Sequence, residues 1–164
     1  MIDNPNIRTL VLGVGNILVA DEGIGVRVIE NIAAKYNLPD SVMLLDGGTL
    51  GLDLLYYMED TENLLIIDAV ETGCEPGTML RLEDEQVPAF MTLKMSPHQV
   101  GVPDMLFAAK LKGIAPKNLV LLGIQPESLE MSLELSATIA AKMDDLVWQV
   151  IEQLGKWGHE VTLQ

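Results

Sequence analysis

A single cysteine, Cys74, stands in this sequence of 164 residues, so no internal disulfide can form and the core alone must hold the fold. Basic residues are scarce as well: ten Lys and Arg stand against 24 Asp and Glu, a net charge of −14. That balance excludes a sequence-independent nucleic-acid surface, which needs an excess of Lys and Arg to displace counterions. It disfavours adsorption to anionic lipid for the same reason. No apolar run approaches the roughly 20 residues of a membrane span, and Met1–Arg8 has neither a basic region nor a cleavable apolar stretch. There is no G-x-S-x-G elbow and no H-E-x-x-H helix, so neither a serine hydrolase nor an ordinary zinc protease is available. With 49% apolar and 21% charged residues, a globular, cytoplasmic protein is expected. The length suits one domain over residues 1–164, and no repeat, low-complexity segment or linker divides it.

What is present begins with Thr9–Gly15, an apolar strand running into a glycine turn, followed by Asp21 and Glu22 at the start of a helix. The dinucleotide fingerprint G-x-G-x-x-G is the tempting reading, and Asp46 ending the second strand would mimic the ribose-binding acid. Gly13 and Gly15 fit that fingerprint, but its third position is Leu18. A helix N-terminus attracts anions, and two carboxylates there would repel a pyrophosphate. The loop reads instead as one that holds something cationic, a metal first of all.

Strands and helices then alternate. A helix follows with Ile24, Val28, Ile32 and Tyr36 on one face, until Leu38-Pro39-Asp40 breaks it. Val42–Asp46 reads as a second strand, and a turn leads into a short helix carrying Leu52, Leu54, Leu55 and Met58. Leu64–Val70 and Asn118–Ile124 have the continuous apolar pattern of strands buried on both faces. Gly77–Leu82 is shorter and more polar, hence an edge strand. Ser96–Gln99 reads as a loop feeding a helix through Met105–Leu111, with Pro97 in its first turn. Ser136 is placed to cap a final helix with Ile139, Met143, Leu146, Val147, Val150 and Leu154 inward, ended by Gly155. The expected fold is a three-layer α/β/α sandwich around a mostly parallel sheet.

Ligands in such folds bind beyond the carboxyl ends of the strands. Glu22, Asp68 and His98 fall there by position, with Asp46 near them. Two carboxylates and an imidazole suit a divalent transition metal with open coordination positions. The competing structural reading, Asp68 capping a helix and His98 satisfied in its loop, stands equal on position alone.

The strings Gly13-Val-Gly-Asn-Ile-Leu, Asp21-Glu22-x-Ile-Gly-Val, Asp46-Gly-Gly-Thr49-x-Gly51, Ile-Ile-Asp68-Ala and Ser96-Pro-His98-Gln occur in order. Together with Pro76-Gly-Thr78, Glu85-x-Val-Pro88 and Pro126–Glu130, they resemble the hydrogenase maturation endopeptidases over nearly the whole chain. These proteins remove a C-terminal peptide from the large-subunit precursor of nickel–iron hydrogenases. The resemblance implies a five-stranded mixed sheet with one antiparallel strand, the segment near Gly77–Leu82. It implies nickel ligation by Glu22, Asp68 and His98, the candidate catalytic residues. It also implies substrate recognition by the motif Asp46, Gly47, Gly48 and Thr49. The nickel would belong to the substrate, the large-subunit precursor, so that cleavage is coupled to metal loading. The metal would also polarise the scissile carbonyl or acidify a bound water, leaving a carboxylate as general base. A monomer is expected of a small acidic domain acting on a large partner.

Other residues are weighed beside these. Cys74 as a nucleophile paired with His98 is disfavoured, because Glu71 and Glu75 oppose a thiolate; it reads as a loop thiol. His159 reads as a solvated tail residue, Trp148 as packed beneath the last helix, and Met91, Met95 and Met105 as core filler. Besides the endopeptidase, three readings stay open: a non-catalytic nickel-binding assembly factor, a nucleotide-binding module and a two-metal hydrolase. The last needs more acidic ligands at the edge than the sequence places there.

Overall fold

The computed structural model describes residues 8–48, 50–94 and 101–164, with residues 92–94 described by their backbone alone. In chain order the elements are β1 (Thr9–Val14), α1 (Ile24–Lys35), β2 (Tyr36–Asn37), β3 (Val42–Gly48), β4 (Asn63–Ala69) and β5 (Met79–Glu83). Then come α2 (Gln86–Lys94), α3 (Val102–Leu111), β6 (Asn118–Ile124), α4 (Ala137–Ala140), α5 (Met143–Lys156) and β7 (Thr162–Leu163). Short 3-10 turns cover Ala20–Gly23 and Leu52–Tyr57. The main sheet has five strands in the order β3-β1-β4-β6-β5, all neighbours parallel except β5 against β6. This is the expected mixed sheet with its polar edge strand antiparallel.

Strand alternation divides the core between two helical layers. Val11, Leu65, Ile67, Val120 and Leu122 point to the layer of α1 and α5. Leu10, Leu12, Leu64, Ile66 and Leu121 point to the layer of α3 and the Leu52–Tyr57 turn. Both faces being covered explains why β1, β4 and β6 read as continuous apolar runs rather than alternating ones.

At the amino edge a chain of side-chain hydrogen bonds runs across the sheet. Asn118 Nδ2 donates to Asn63 Oδ1 (2.8 Å), and Asn63 Nδ2 donates to Thr9 Oγ1 (3.0 Å). His159 bridges Thr9 Oγ1 through Nε2 (2.6 Å) and Ser41 Oγ through Nδ1 (3.1 Å). The expectation of a solvated His159 is therefore wrong: the ring is buried, with both nitrogens bonded across about 118 to 150 positions of chain.

Several boundaries also differ. Tyr36 leaves α1 to form β2, which pairs with β7 and so orders the final segment. The last helix is two helices. Ser136 caps the first through its hydroxyl, and Gly158, at φ +90°, follows the second, a conformation Gly155 does not adopt. Trp148 is exposed, not packed beneath its helix. The helix Gln86–Lys94 has no clear period in its sequence and was not expected. Met91 and Met105 are buried, whereas Met95, Pro97 and the Ser96–Gln99 loop lie outside the described residues. The observed start of α3 is set by Asp104, whose Oδ2 accepts the Gly101 amide at 2.9 Å.

Candidate active site

The site is built by how closely α1 approaches the sheet. A Cβ on Gly25 would collide with the Ile67 carbonyl and come within 2.6 Å of the Val14 carbonyl. A Cβ on Gly13 would meet the Gly25 carbonyl and sit 2.6 Å from Ile29 Cγ1. These glycines let the first turn of α1 rest directly on the ends of β1 and β4. That is their role here, in place of cradling a pyrophosphate. Gly15, at φ +126°, turns the chain back so closely that its missing Cβ would strike the Glu22 carbonyl, with Asp68 Oδ1 3.8 Å away. Glu22 from the turn before α1 and Asp68 from the end of β4 thus converge on one spot at the carboxyl edge.

Both side chains are partly buried. Among the described residues neither has a cationic partner. Burial, and secondarily the Glu22 charge, raise the Asp68 pKa well above the usual carboxylate range, against a backbone hydrogen bond from Ala69 that lowers it. The result is an acidic pair held together without compensation. Such a pair favours a cation or a proton between its members.

Asp21 does something else. It is fully buried and faces away from solvent, so it is not half of a cation-binding pair with Glu22. Its Oδ2 accepts from the amides of Glu127 (2.9 Å) and Ser128 (2.8 Å) and from Ser136 Oγ (2.8 Å). Its Oδ1 accepts from the Ser136 amide at 2.8 Å. Burial alone would raise its pKa, but these bonds outweigh it and hold the group below the ordinary Asp value. Asp21 therefore anchors the segment 127–136 beside Glu22. Just before it, Ala20 has φ +42°, a left-handed strain held in place by its amide's bond to the Ser132 carbonyl.

Asp46 is exposed at the neighbouring strand end, and its Oδ1 accepts the Gly48 amide at 2.9 Å. The register of β3 against β1 shifts there, Gly13 opposite Asp46 and Val14 opposite Gly48, leaving Gly47 as the bulged residue. Gly47 has no room for a Cβ, which would stand 2.6 Å from Leu12 Cδ1, and Gly48 has φ +46°. Thus Glu22, Asp68, Asp46, Gly47 and Gly48 share the carboxyl edge of β3, β1 and β4. Thr49 and His98 lie outside the described residues. Among the described residues no three His, Cys, Asp or Glu side chains come together as a metal-holding group.

Cys74 is exposed in the loop after β4. That loop is tied down by the buried Gln125, whose Oε1 accepts the Thr72 amide (2.6 Å) and hydroxyl (2.8 Å). The sequence reading missed Asp21's anchoring role and the segment it holds. The Asp-x-…-Ser spacing of more than 100 residues gives no local signal for either.

The fold and this edge define an α/β protein with a mixed five-stranded sheet that gathers Glu22, Asp68 and Asp46 at its carboxyl edge. Residues 26–153 match the family model described as hydrogenase maturation protease. The chain is 48% identical over 155 residues to the hydrogenase 2 maturation protease of Escherichia coli K12, covering 94% of each. It is 46% identical to the hydrogenase expression/formation protein HupD of Rhodobacter capsulatus, over 94% of this chain and 75% of that one. Among solved structures, the hydrogenase maturating endopeptidase HybD from E. coli superimposes with a TM-score of 0.92 at 46% identity, over 96% of this chain and 98% of that one. The chain belongs to the hydrogenase maturation proteases, and is accordingly a hydrolase. Among the described residues no helix is long and apolar enough to cross a membrane.

Proposed function

We propose that this protein is the endopeptidase that removes the C-terminal peptide from the nickel-loaded precursor of a [NiFe] hydrogenase large subunit. The observation that carries the reading is the uncompensated pair of Glu22 and Asp68 at the carboxyl edge. A divalent ion arriving with the substrate relieves their repulsion and accepts two oxygen ligands. The raised pKa of Asp68 means that a proton competes with the ion for this carboxylate, so metal binding favours its ionised form. His98 supplies the third donor. Remaining coordination positions stay with the precursor's own ligands.

Asp46 and the bulge at Gly47–Gly48 lie one strand away, with Thr49 completing the motif, and would orient the precursor's chain relative to the metal. A carboxylate of the pair would act as general base for the attacking water and pass that proton to the leaving amine. The metal's second contribution is to polarise the scissile carbonyl. The protein's site senses a metal rather than storing one, acts in the cytoplasm, and works as a monomer.

Intact mass spectrometry tests this reading, with a large-subunit precursor incubated nickel-loaded or nickel-free. Loss of a C-terminal peptide from the loaded form alone is expected. A correctly loaded precursor that stays full length would reduce the protein to a nickel-binding assembly factor. Retention of stoichiometric metal by the purified protein through dialysis against chelator would overturn the sensing role.

A further inference from the structure

The segment 127–134, Glu-Ser-Leu-Glu-Met-Ser-Leu-Glu, exposes its large apolar side chains instead of burying them. Leu129 is 56% exposed, Met131 81% and Leu133 62%, and Leu18 on the adjoining turn is 50% exposed. This is no loose loop. Val19 and Ser132 form a parallel bridge, with the Ser132 amide donating to the Leu18 carbonyl and the Ala20 amide to the Ser132 carbonyl, each at 2.9 Å. The Asp21 amide donates to the Ser128 carbonyl at 3.1 Å, and the Asp21 carboxylate binds both ends of the segment. The hydroxyls of Ser128 and Ser132 accept the amides of Glu130 and Glu134, each two residues on. The amides of Glu127, Ser128, Glu130, Ser132 and Glu134 are thus all engaged, while the side chains left outside are leucine, methionine and glutamate.

A rigid ledge of apolar side chains set among carboxylates, starting one residue from Glu22, has the anatomy of an interface: an apolar centre and a charged rim. We infer that it is the docking surface for the body of the precursor. This inference rests on the function proposed above. The occupant is a polypeptide segment that presents aliphatic or aromatic side chains flanked by Lys or Arg. The charge complement is set by Glu127, Glu130 and Glu134 on the ledge and by the protein's net −14. Apolar contacts hold the precursor, and the carboxylates speed its arrival. Because Asp21 ties the ledge and Glu22 to one carboxyl group, a docked precursor is registered against the site.

The test uses the full-length protein with purified precursor on a biosensor surface, in parallel with the processing assay. Three variants are compared with wild type after circular dichroism and melting confirm their folds. These are Met131→Ser/Leu133→Ser, Glu130→Lys/Glu134→Lys, and Trp148→Ser as an exposed apolar control on α5. The first is expected to bind at least tenfold more weakly, chiefly through faster dissociation. The second is expected to associate more slowly, with the difference vanishing at high salt. The third is expected to match wild type. Unchanged binding by the serine pair, or equal loss in Trp148→Ser, would overturn the inference. So would a wild-type dimer that the serine pair dissolves, which would give the ledge to a second copy. Wild-type protein that binds but does not cut would remove the catalytic reading and leave the ledge supported or refuted by its variants. Absence of wild-type binding would overturn both.

Discussion

Removing the Asp21 carboxylate should cost more stability than any other surface-distant polar change at the carboxyl edge. Four donors converge on it at 2.8 to 2.9 Å: the amides of Glu127, Ser128 and Ser136 and the Ser136 hydroxyl. A hydrogen bond to a charged acceptor is worth about 1.5–3 kcal/mol net, but bonds sharing one carboxylate do not add fully. Asp21→Ala leaves all four donors facing a void, a loss of about 3–5 kcal/mol. Asp21→Asn keeps the volume and one acceptor, yet its amide must point at the Ser136 amide or at the other three donors. Its expected loss is about 2–3 kcal/mol. At about 2–4 °C per kcal/mol for a chain of this size, the alanine variant should melt roughly 6–20 °C below wild type.

The pH dependence gives this prediction its sign. The folded-state pKa of Asp21 is depressed, so the unfolded chain binds its proton first as pH falls. The carboxylate's contribution is therefore complete above the unfolded value of about 3.9 and is lost as pH drops through the lower folded value. Urea denaturation of wild type and Asp21→Asn should show a constant stability gap from neutral pH down to about 5, narrowing below about 4. An Asn variant as stable as wild type, or a gap that persists undiminished at the acid end, would refute the anchoring role.

Four further outcomes follow from the same geometry. Asp68→Asn should abolish metal binding and flatten the loss of stability that wild type shows as pH rises, since the raised pKa of Asp68 makes its ionisation beside Glu22 costly; a variant with the wild-type pH dependence would contradict the uncompensated pair. Nickel affinity measured by calorimetry should strengthen as pH rises, because a proton on Asp68, whose pKa is raised, competes with the ion, and affinity independent of pH would exclude this competition. Gly25→Ala forces a methyl into the Ile67 and Val14 carbonyls, and should destabilise by at least about 2–3 kcal/mol in the same denaturation assay. Cys74→Ala should process precursor at the wild-type rate, and total loss of activity would restore a thiol mechanism.

How much of this was legible in the sequence depends on the distance over which each residue acts. The strands buried on both faces announce themselves as apolar runs, so β1, β4 and β6 and their layer architecture were readable. Glu22 and Asp68 were readable as edge residues, because strand ends in an alternating α/β chain must share one edge. Asp21 was misread because its four partners lie more than 100 positions away, and nothing local separates an anchoring carboxylate from a ligating one. His159 failed for the same reason, its partners being Thr9 and Ser41. The helix Gln86–Lys94 was missed because its apolar residues do not line one face. The break between α4 and α5 was hidden by an uninterrupted helical period.

The amino-edge chain of Asn118, Asn63, Thr9, His159 and Ser41 has a consequence for the opposite end of the sheet. It works as a hem, stitching four adjacent strands at the end away from Glu22 and Asp68. Strand alignment is thereby set some 20 Å from the carboxyl edge, a strand's length away. A bulge at Gly47, a left-handed Ala20 and two opposed carboxylates can then crowd the working end without threatening the alignment of the rods behind them. When a bulky folded partner leans on that end, the load falls on a sheet whose register is fixed from behind.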